Sequence, residues 1–248
     1  MAVPVEPVIL SVKVALISTI ITTALGTGTA WVMSRKEFPG KNLVETIIGL
    51  PLVLPPTVIG FGLLLLFGKH GPLGFILEEV FNVRVVFTWW AAVIAAAVVS
   101  FPLMYRSAKA GFGSVDRRLE SAARNLGASE WKVFYTISLP LALPGVLAGV
   151  LMAFARSLGE FGATVMLAGN IPGQTQTIPL AIYFSMESGD IDTAGRLVAI
   201  ITAASFIITF AVNKWQGKTG QGFQGRQGKK GPERGEMGVG SKYTKGFT

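Results

Sequence analysis

Residues 120–140 read ESAARNLGASEWKVFYTISLP, a charged and helix-forming stretch that joins two apolar segments. The segment before it, Val85–Tyr105, and the segment that it enters, Val133–Ala155, contain no charged residue. Each is long enough to cross a bilayer, which takes about 20 apolar residues. The stretch is therefore predicted to be a loop between two membrane spans, and its polar composition is typical of a loop that engages a partner.

Composition indicates a membrane protein. Of the 248 residues, 50% are hydrophobic and 15% are charged, and the mean hydropathy is +0.54. An ordinary soluble domain has about 25% charged residues. The chain has no cysteine and one histidine, His70, which excludes disulfides, thiolate metal sites and multi-histidine sites. We expect no catalytic residue, no metal and no cofactor.

Five membrane spans are predicted, which makes the fold an all-α polytopic helical bundle. They are Val8–Ser34, Leu43–Phe67, Val85–Tyr105, Val133–Ala155 and a short run at Leu197–Asn213 that is extended upstream. Residues 161–186 also lack charge, but they contain Gly, Asn, Pro and Gln and are predicted to lie outside or to be re-entrant.

The distribution of basic residues predicts the orientation of the bundle. Short loops rich in Lys and Arg stay cytoplasmic. Such residues follow the first, third and fifth spans, namely Arg35, Lys36, Lys41, Arg106, Lys109, Arg117, Arg118, Arg124, Lys132, Lys214 and Lys218. The predicted topology has the N-terminus outside, five spans and the C-terminus in the cytoplasm.

The chain divides into a transmembrane domain, residues 1–213, and a basic, Gly-rich tail, residues 214–248, that is predicted to be disordered. Basic cytoplasmic flanks are the default in membrane proteins and attract anionic lipid headgroups, so no nucleic-acid partner is expected. The fragment Gly217–Thr219 is not a phosphate-binding loop, because the first glycine of that motif would fall at Val212. We therefore expect no enzyme activity in this chain, and ATP hydrolysis would need a partner.

Within the opening stretch, the pattern predicts a short helix across the cytoplasmic face. Ser114 and Asp116 are candidate N-caps, and Gly127 is the candidate C-terminal residue. Apolar and small residues recur at helical spacing between them, namely Leu119, Ala122, Ala123 and Leu126. A second helix is predicted from about Ser129 into the fourth span. The alternative is an amphipathic turn that rests on lipid headgroups.

The spacing of Ala122, Ala123, Gly127, Ile137, Leu139 and Pro140 resembles the EAA loop of binding-protein-dependent ABC importer permeases. The common form has Glu six residues before the Gly, where this chain has Ser121, and Glu120 lies one position earlier. We expect Glu120 to substitute for it. The resemblance implies that this helix, with Glu120, Ser121, Ala122, Ala123, Gly127, Ile137, Leu139 and Pro140, couples the permease to an ATPase.

Four further stretches, residues 34–41, 50–61, 100–120 and 154–183, are similar to molybdate importer permeases, and the likeness covers about residues 8–213. Sulfate and thiosulfate permeases share the loop, so a sulfate importer is the alternative. The resemblance implies a homodimer in the cell membrane, two cytoplasmic ATP-binding subunits and an external oxyanion-binding protein docked on residues 69–84 and 169–192. An ATP-independent channel or carrier is less favoured, because no span has an acidic residue in its middle.

Several residues are candidates for the translocation path or its gate. Arg156 and Glu160, four residues apart, share a helix face and form either a structural ion pair or a positive vestibule. The three prolines of the second span, Pro51, Pro55 and Pro56, either shape it for packing or form a gate hinge. Gly145 and Gly149 are predicted to bring two helices close together.

Overall fold

The computed structural model describes residues 4–227, with side chains described as far as residue 210. In this part of the chain all regular secondary structure is helical, and there is no strand. Its helices are α1 (Val5–Arg35), α2 (Lys41–Val53), α3 (Pro56–Phe67), α4 (Pro72–Phe81), α5 (Trp89–Gly113), α6 (Arg117–Asn125), α7 (Glu130–Val133), α8 (Leu139–Leu158), α9 (Gly162–Ala168), α10 (Ile178–Glu187) and α11 (Ile191–Gln227). A π-helical segment, Phe134–Ser138, joins α7 to α8.

Four helical stretches are long and apolar enough to cross a membrane: α1, α5, the continuous run Glu130–Leu158 and the Ile191–Phe210 part of α11. The second predicted span is a pair of helices, α2 and α3, bent by 117°. The break falls at Leu54 and Pro55, and Pro56 then occupies the first turn of α3, where a missing N–H costs nothing. The bundle therefore has four spans, or five if the bent pair counts as one.

Helix α5 is the centre of the bundle and packs between α1 and α8. Small residues make this close packing possible. A Cβ added at Gly145 of α8 would lie 2.6 Å from the Cα of Gly111 on α5, and one added at Gly149 would lie 2.8 Å from Met104 Sδ. The predicted close approach at these two glycines is confirmed.

Residues 161–186 form two short helices, α9 and α10, joined by a loop. Neither is long enough to cross a bilayer, which agrees with the absence of a sixth span here. Helix α9 packs on α3, where a Cβ at Gly60 would be 2.7 Å from the Cα of Ala163. Helix α10 packs on α1, and the Ile178 amide donates to Ser11 Oγ at 2.7 Å.

Several features differ from the predicted ones. Residues 69–84 contain α4, a ten-residue helix that no pattern had indicated. The predicted span ends at Tyr105, whereas helix α5 continues through the charged residues that follow and ends at Gly113. The compact unit of the bundle ends at Val212. Helix α11 continues to Gln227, while residues 228–248 of the predicted disordered tail lie outside the described residues.

Candidate functional site

The loop between α5 and α8 is held by local capping. Asp116 Oδ1 accepts a hydrogen bond from the Arg118 amide at 2.9 Å and starts α6. Gly127 has φ +85°, the left-handed conformation that ends a helix, and Ser129 Oγ accepts from the Lys132 amide at 3.4 Å to start α7. The short helix is confirmed with these caps. Ser114 instead ends α5, and its hydroxyl donates to the Gly111 carbonyl at 2.7 Å.

Glu120 lies on the inner face of α6 and is 1% exposed. Three donors meet at its Oε1 atom: Ser138 Oγ at 2.6 Å, Arg35 Nε at 3.0 Å and Arg35 Nη2. Its other carboxylate oxygen lies 3.8 Å from Arg124 Nη2. A buried carboxylate is stable only when it is paired and hydrogen-bonded, and this one is both.

The Glu120 carboxylate connects three parts of the chain. Arg35 is the last residue of α1, and its Nη1 atom also donates to the Phe112 carbonyl of α5 at 3.1 Å. Ser138 is the last residue of the π-helical segment at the start of the fourth span. A second arginine, Arg117 of α6, donates to the Ser34 carbonyl at 3.1 Å. Helix α6 is therefore fixed to the adjacent ends of three spans.

The opposite face of α6 is open and carries exposed apolar residues beside Arg118 and Asn125. Leu126 is 89% exposed and Leu119 is 49% exposed, and the exposed Ala122 lies between them at i+3 from Leu119. Ser121 and Gly127 are exposed as well, and Ala123 is half-buried. The three arginines of α6 stay at or near the surface, as is normal for a surface helix, whereas Glu120 is buried. The helix thus buries its one carboxylate and presents a mixed apolar and basic face outward.

The end of the motif lies in an irregular turn. The Leu139 amide donates to the Phe134 carbonyl five residues earlier, which widens the helix just before Pro140. Proline has no N–H to complete the normal bond and its ring clashes with the preceding turn, so a wide turn accommodates it. Ile137 and Leu139 are half-buried here, and Pro140 is exposed.

Sequence reasoning missed the partners of Glu120. Arg35 lies 85 residues away in the chain and served only as one of the basic residues that set the orientation. An aromatic cluster that holds α1 against α7 was also missed. The ring centroids of Trp31 and Phe134 lie 4.9 Å apart, and those of Trp31 and Trp131 lie 6.5 Å apart. No local pattern indicates either contact, because both form between segments distant in sequence.

Exposed and partly buried ion pairs surround this end of the bundle. Lys41 Nζ lies 2.7 Å from Glu37 Oε1, Lys109 Nζ lies 2.5 Å from Glu45 Oε1, and Arg124 Nε lies 2.6 Å from Glu130 Oε1. The hydrogen bond from Lys41, with its positive charge, lowers the pKa of the Glu37 carboxyl below its usual value. In the described residues no three His, Asp or Glu side chains are grouped as a metal site would require.

The candidate gate residues lie elsewhere in the bundle. Arg156 Nη1 is 2.7 Å from Glu160 Oε2, so the predicted ion pair is confirmed. Glu160 is 3% exposed, and its Oε1 accepts from the Ala163 amide at 2.8 Å, at the start of α9. A Cβ at Gly162 would lie 3.0 Å from Pro56 Cβ, which brings α9 against the bend that follows Pro51 and Pro55. The ion pair and the bend are thus connected through α9.

Comparison with known families gives one match over most of the chain. Residues 20–219 match the model for the family described as "Binding-protein-dependent transport system inner membrane component". The putative molybdenum transport system permease protein YvgM of Bacillus subtilis (strain 168) is 53% identical over 209 residues, 84% of this chain and 92% of that protein. The molybdenum transport system permease protein ModB of Escherichia coli (strain K12) is 44% identical over 210 residues, 85% of this chain and 92% of that protein.

A sulfate relative and two solved structures are more distant. The sulfate transport system permease protein CysT of Escherichia coli (strain K12) is 34% identical over 207 residues, 84% of this chain and 74% of that protein. A bacterial ABC transporter that imports alginate has a TM-score of 0.68 at 15% identity, over 86% of this chain and 79% of that one. The MetNI methionine ABC transporter has a TM-score of 0.59 at 16% identity, over 86% and 94%. At such identities the structures establish the fold.

Proposed function

Because the chain belongs to the family of binding-protein-dependent transport system inner membrane components, we propose that it is the permease subunit of an ABC importer for molybdate. Tungstate, an oxyanion of the same charge and shape, is expected to share the route. The observation that carries the proposal is the outward side of α6, where Leu119, Ala122 and Leu126 are exposed, on a helix whose one carboxylate is buried and fixed to the bundle. Exposed apolar residues grouped in this way are typical of a surface that binds another protein.

The substrate assignment is supported by the relatives. Two proteins named as molybdenum permeases are 53% and 44% identical to the chain, whereas the sulfate permease CysT is 34% identical. Sulfate is therefore the second candidate substrate. Molybdate, tungstate and sulfate are tetrahedral dianions, so they differ to a permease mainly in size and strength of hydration.

The partners follow from the proposed role. Two copies of the chain would enclose the pathway, and each α6 would insert its apolar face into a groove of one of two ATP-hydrolysing subunits. An external oxyanion-binding protein would dock on residues 69–84 and 169–192. ATP binding would then shift the equilibrium between inward-open and outward-open states, which requires that ATP bind one state more tightly.

The proposed orientation places α6 in the cytoplasm and the N-terminus outside. The chain lacks cysteine, so single cysteines can report on it directly. Cysteine at Asn125, exposed on α6, is expected to react with a membrane-impermeant maleimide only after cells are permeabilised. Cysteine at Gln174, exposed in the loop between α9 and α10, is expected to react in intact cells. The reverse pattern would refute the orientation and the docking of α6 on a cytoplasmic ATPase.

Reconstituted transport tests the proposed function. The permease, its ATPase and its binding protein are placed in vesicles, and uptake of labelled molybdate, tungstate and sulfate is measured in parallel with and without ATP. We expect uptake only with ATP and binding protein, and at least about tenfold faster for molybdate and tungstate, a factor that corresponds to about 1.4 kcal/mol. Sulfate uptake at the same rate would remove the substrate assignment, and uptake without ATP would indicate a channel or carrier.

Gly127 provides a test of the loop. Its φ of +85° suits glycine, and a Cβ there would meet no heavy atom within 4 Å, so only backbone strain opposes a side chain. Gly127→Val is expected to destabilise the turn by about 1–2 kcal/mol and to lower ATP-dependent uptake severalfold. Gly127→Asn should keep most of the activity, since asparagine tolerates this conformation. Equal loss of uptake in both variants would mean that coupling needs the open space beside residue 127 rather than its left-handed backbone conformation.

A further inference from the structure

A cavity of about 810 Å³ opens between α2 and α5, at the end of the bundle where α6 lies. Its polar lining consists of Asn42, Glu45 and Thr46 from α2 and Tyr105, Arg106 and Lys109 from α5. Arg106 and Lys109 occupy the last two turns of α5, which ends at Gly113 shortly before α6 begins. The cavity therefore lies at the end of the bundle that the proposed orientation places at the cytoplasmic side, the inner mouth.

The charges on its wall leave one cation without a partner. Lys109 Nζ lies 2.5 Å from Glu45 Oε1, so these two charges compensate each other. Arg106 is exposed to the cavity, and among the side chains described, residues 4–210, it has no carboxylate within ion-pair distance and no hydrogen-bond acceptor. The net charge of the lining is thus one positive charge, concentrated in the Arg106 guanidinium.

The position of this guanidinium is set by the backbone of α2. A Cβ added at Gly49 would lie 3.1 Å from Arg106 Nη2, so glycine at this position leaves room for the side chain beside α2. An ionised group within a spanning helix is costly and usually has a counter-charge or lines a polar pathway. A guanidinium presents several N–H donors in one plane, a geometry that suits two oxygens of a tetrahedral anion.

We propose that the cavity is an oxyanion site in which Arg106 binds a tetrahedral dianion at the inner mouth of the pathway. The identity of that anion as the transported molybdate rests on the proposed function. The Lys109–Glu45 pair keeps the second cation from adding its full charge. Such a site attracts the dianion and still releases it, because binding at an exit must be weak enough for the ion to leave.

Protection of an introduced cysteine tests the site without any transport. Thr46 lines the cavity and is exposed, so Thr46→Cys is made in the otherwise cysteine-free chain and the whole importer is placed in zwitterionic lipid without ATP. We measure how fast an anionic methanethiosulfonate reagent modifies the cysteine. Molybdate is expected to slow modification at least about threefold. Arg106→Gln should abolish this protection, and Arg106→Lys, which keeps the charge, should retain part of it.

Two controls test whether protection is confined to the cavity and which anion provides it. Asn125→Cys, on α6 outside the cavity, is expected to show no protection by molybdate. Because a lipid phosphate has the same chemistry as a free oxyanion, the rate is also measured in anionic lipid without molybdate. Protection by anionic lipid alone would identify a headgroup as the ligand and overturn the assignment to the pathway.

If molybdate protects Thr46→Cys equally well with and without the Arg106→Gln substitution, the oxyanion site at Arg106 is refuted. Since the modification rate needs neither ATP nor uptake, this failure is distinct from failure of the proposed function. If the importer takes up molybdate but molybdate does not slow the modification of Thr46→Cys, the proposed function stands and only the Arg106 site is refuted.

Discussion

Replacing Glu120 with glutamine is expected to abolish ATP-driven uptake while the permease still assembles in the membrane. Glutamine has the same shape and can still accept from Ser138, but it leaves Arg35 without its buried counter-charge. Removing one partner of a buried pair costs about 3–5 kcal/mol. The equilibrium constant for holding α6 against the bundle would then fall by about a hundredfold to several thousandfold. ATP hydrolysis would continue without moving the spans.

The measurement compares the ratio of molybdate taken up to ATP hydrolysed in reconstituted vesicles. Glu37→Gln is the matched control, since Glu37 lies at the same end and pairs with Lys41, but its side chain is 81% exposed. An ion pair with so exposed a carboxylate contributes little to stability, so the control should transport normally. Adding Arg35→Gln to Glu120→Gln should restore part of the coupling, because no uncompensated charge remains. A normal ratio in Glu120→Gln would show that the carboxylate does not position α6.

Gly145→Ala is expected to destabilise the bundle strongly, although it adds only one methyl group. The added Cβ would lie 2.6 Å from the Cα of Gly111 and 3.0 Å from the Ser107 carbonyl oxygen. Both obstacles are backbone atoms, so α5 and α8 must separate along their contact. Overpacking of this kind costs about 1–3 kcal/mol. Because backbone atoms cannot move aside as a flexible side chain can, we expect the cost of Gly145→Ala to lie at the upper end of this range.

Thermal unfolding of the purified chain in detergent measures this effect. Gly28→Ala is the matched control, because Gly28 also lies within a spanning helix and a Cβ there meets nothing within 4 Å. Alanine is the better helix former by about 1 kcal/mol, so Gly28→Ala should leave the unfolding midpoint unchanged or raise it. An equal midpoint for Gly145→Ala and Gly28→Ala would contradict the tight contact between α5 and α8.

Much of the fold could be predicted because its signals are local. Apolar runs located α1, α5 and α8, and the Asp116 cap and the Gly127 turn follow from side-chain chemistry within a few residues. The same local reasoning identified the Arg156–Glu160 pair, since residues four apart on a helix are neighbours.

The parts that could not be predicted depend on contacts between distant segments. The EAA-like spacing placed Glu120 and Ala122 on one short helix, but it could not show that Glu120 faces Arg35 while Ala122 faces outward. Three prolines indicated a break in the second span, but the 117° angle depends on how α3 packs against α9. Helix α4 was missed because ten residues with two glutamates resemble an outer loop.

The π-helical turn at Phe134–Ser138 has a consequence for the rotational phase of the fourth span. A π turn contains one residue more than an α turn, and each residue of an α-helix advances the side chains by about 100°. Removing a single residue from this segment would therefore turn α7 and its Trp131 by about that angle around the axis of α8. Ser138 could then no longer contact Glu120 while Trp131 contacts Trp31. The number of residues in this turn therefore sets the rotation of α8 relative to α7 and the loop before it.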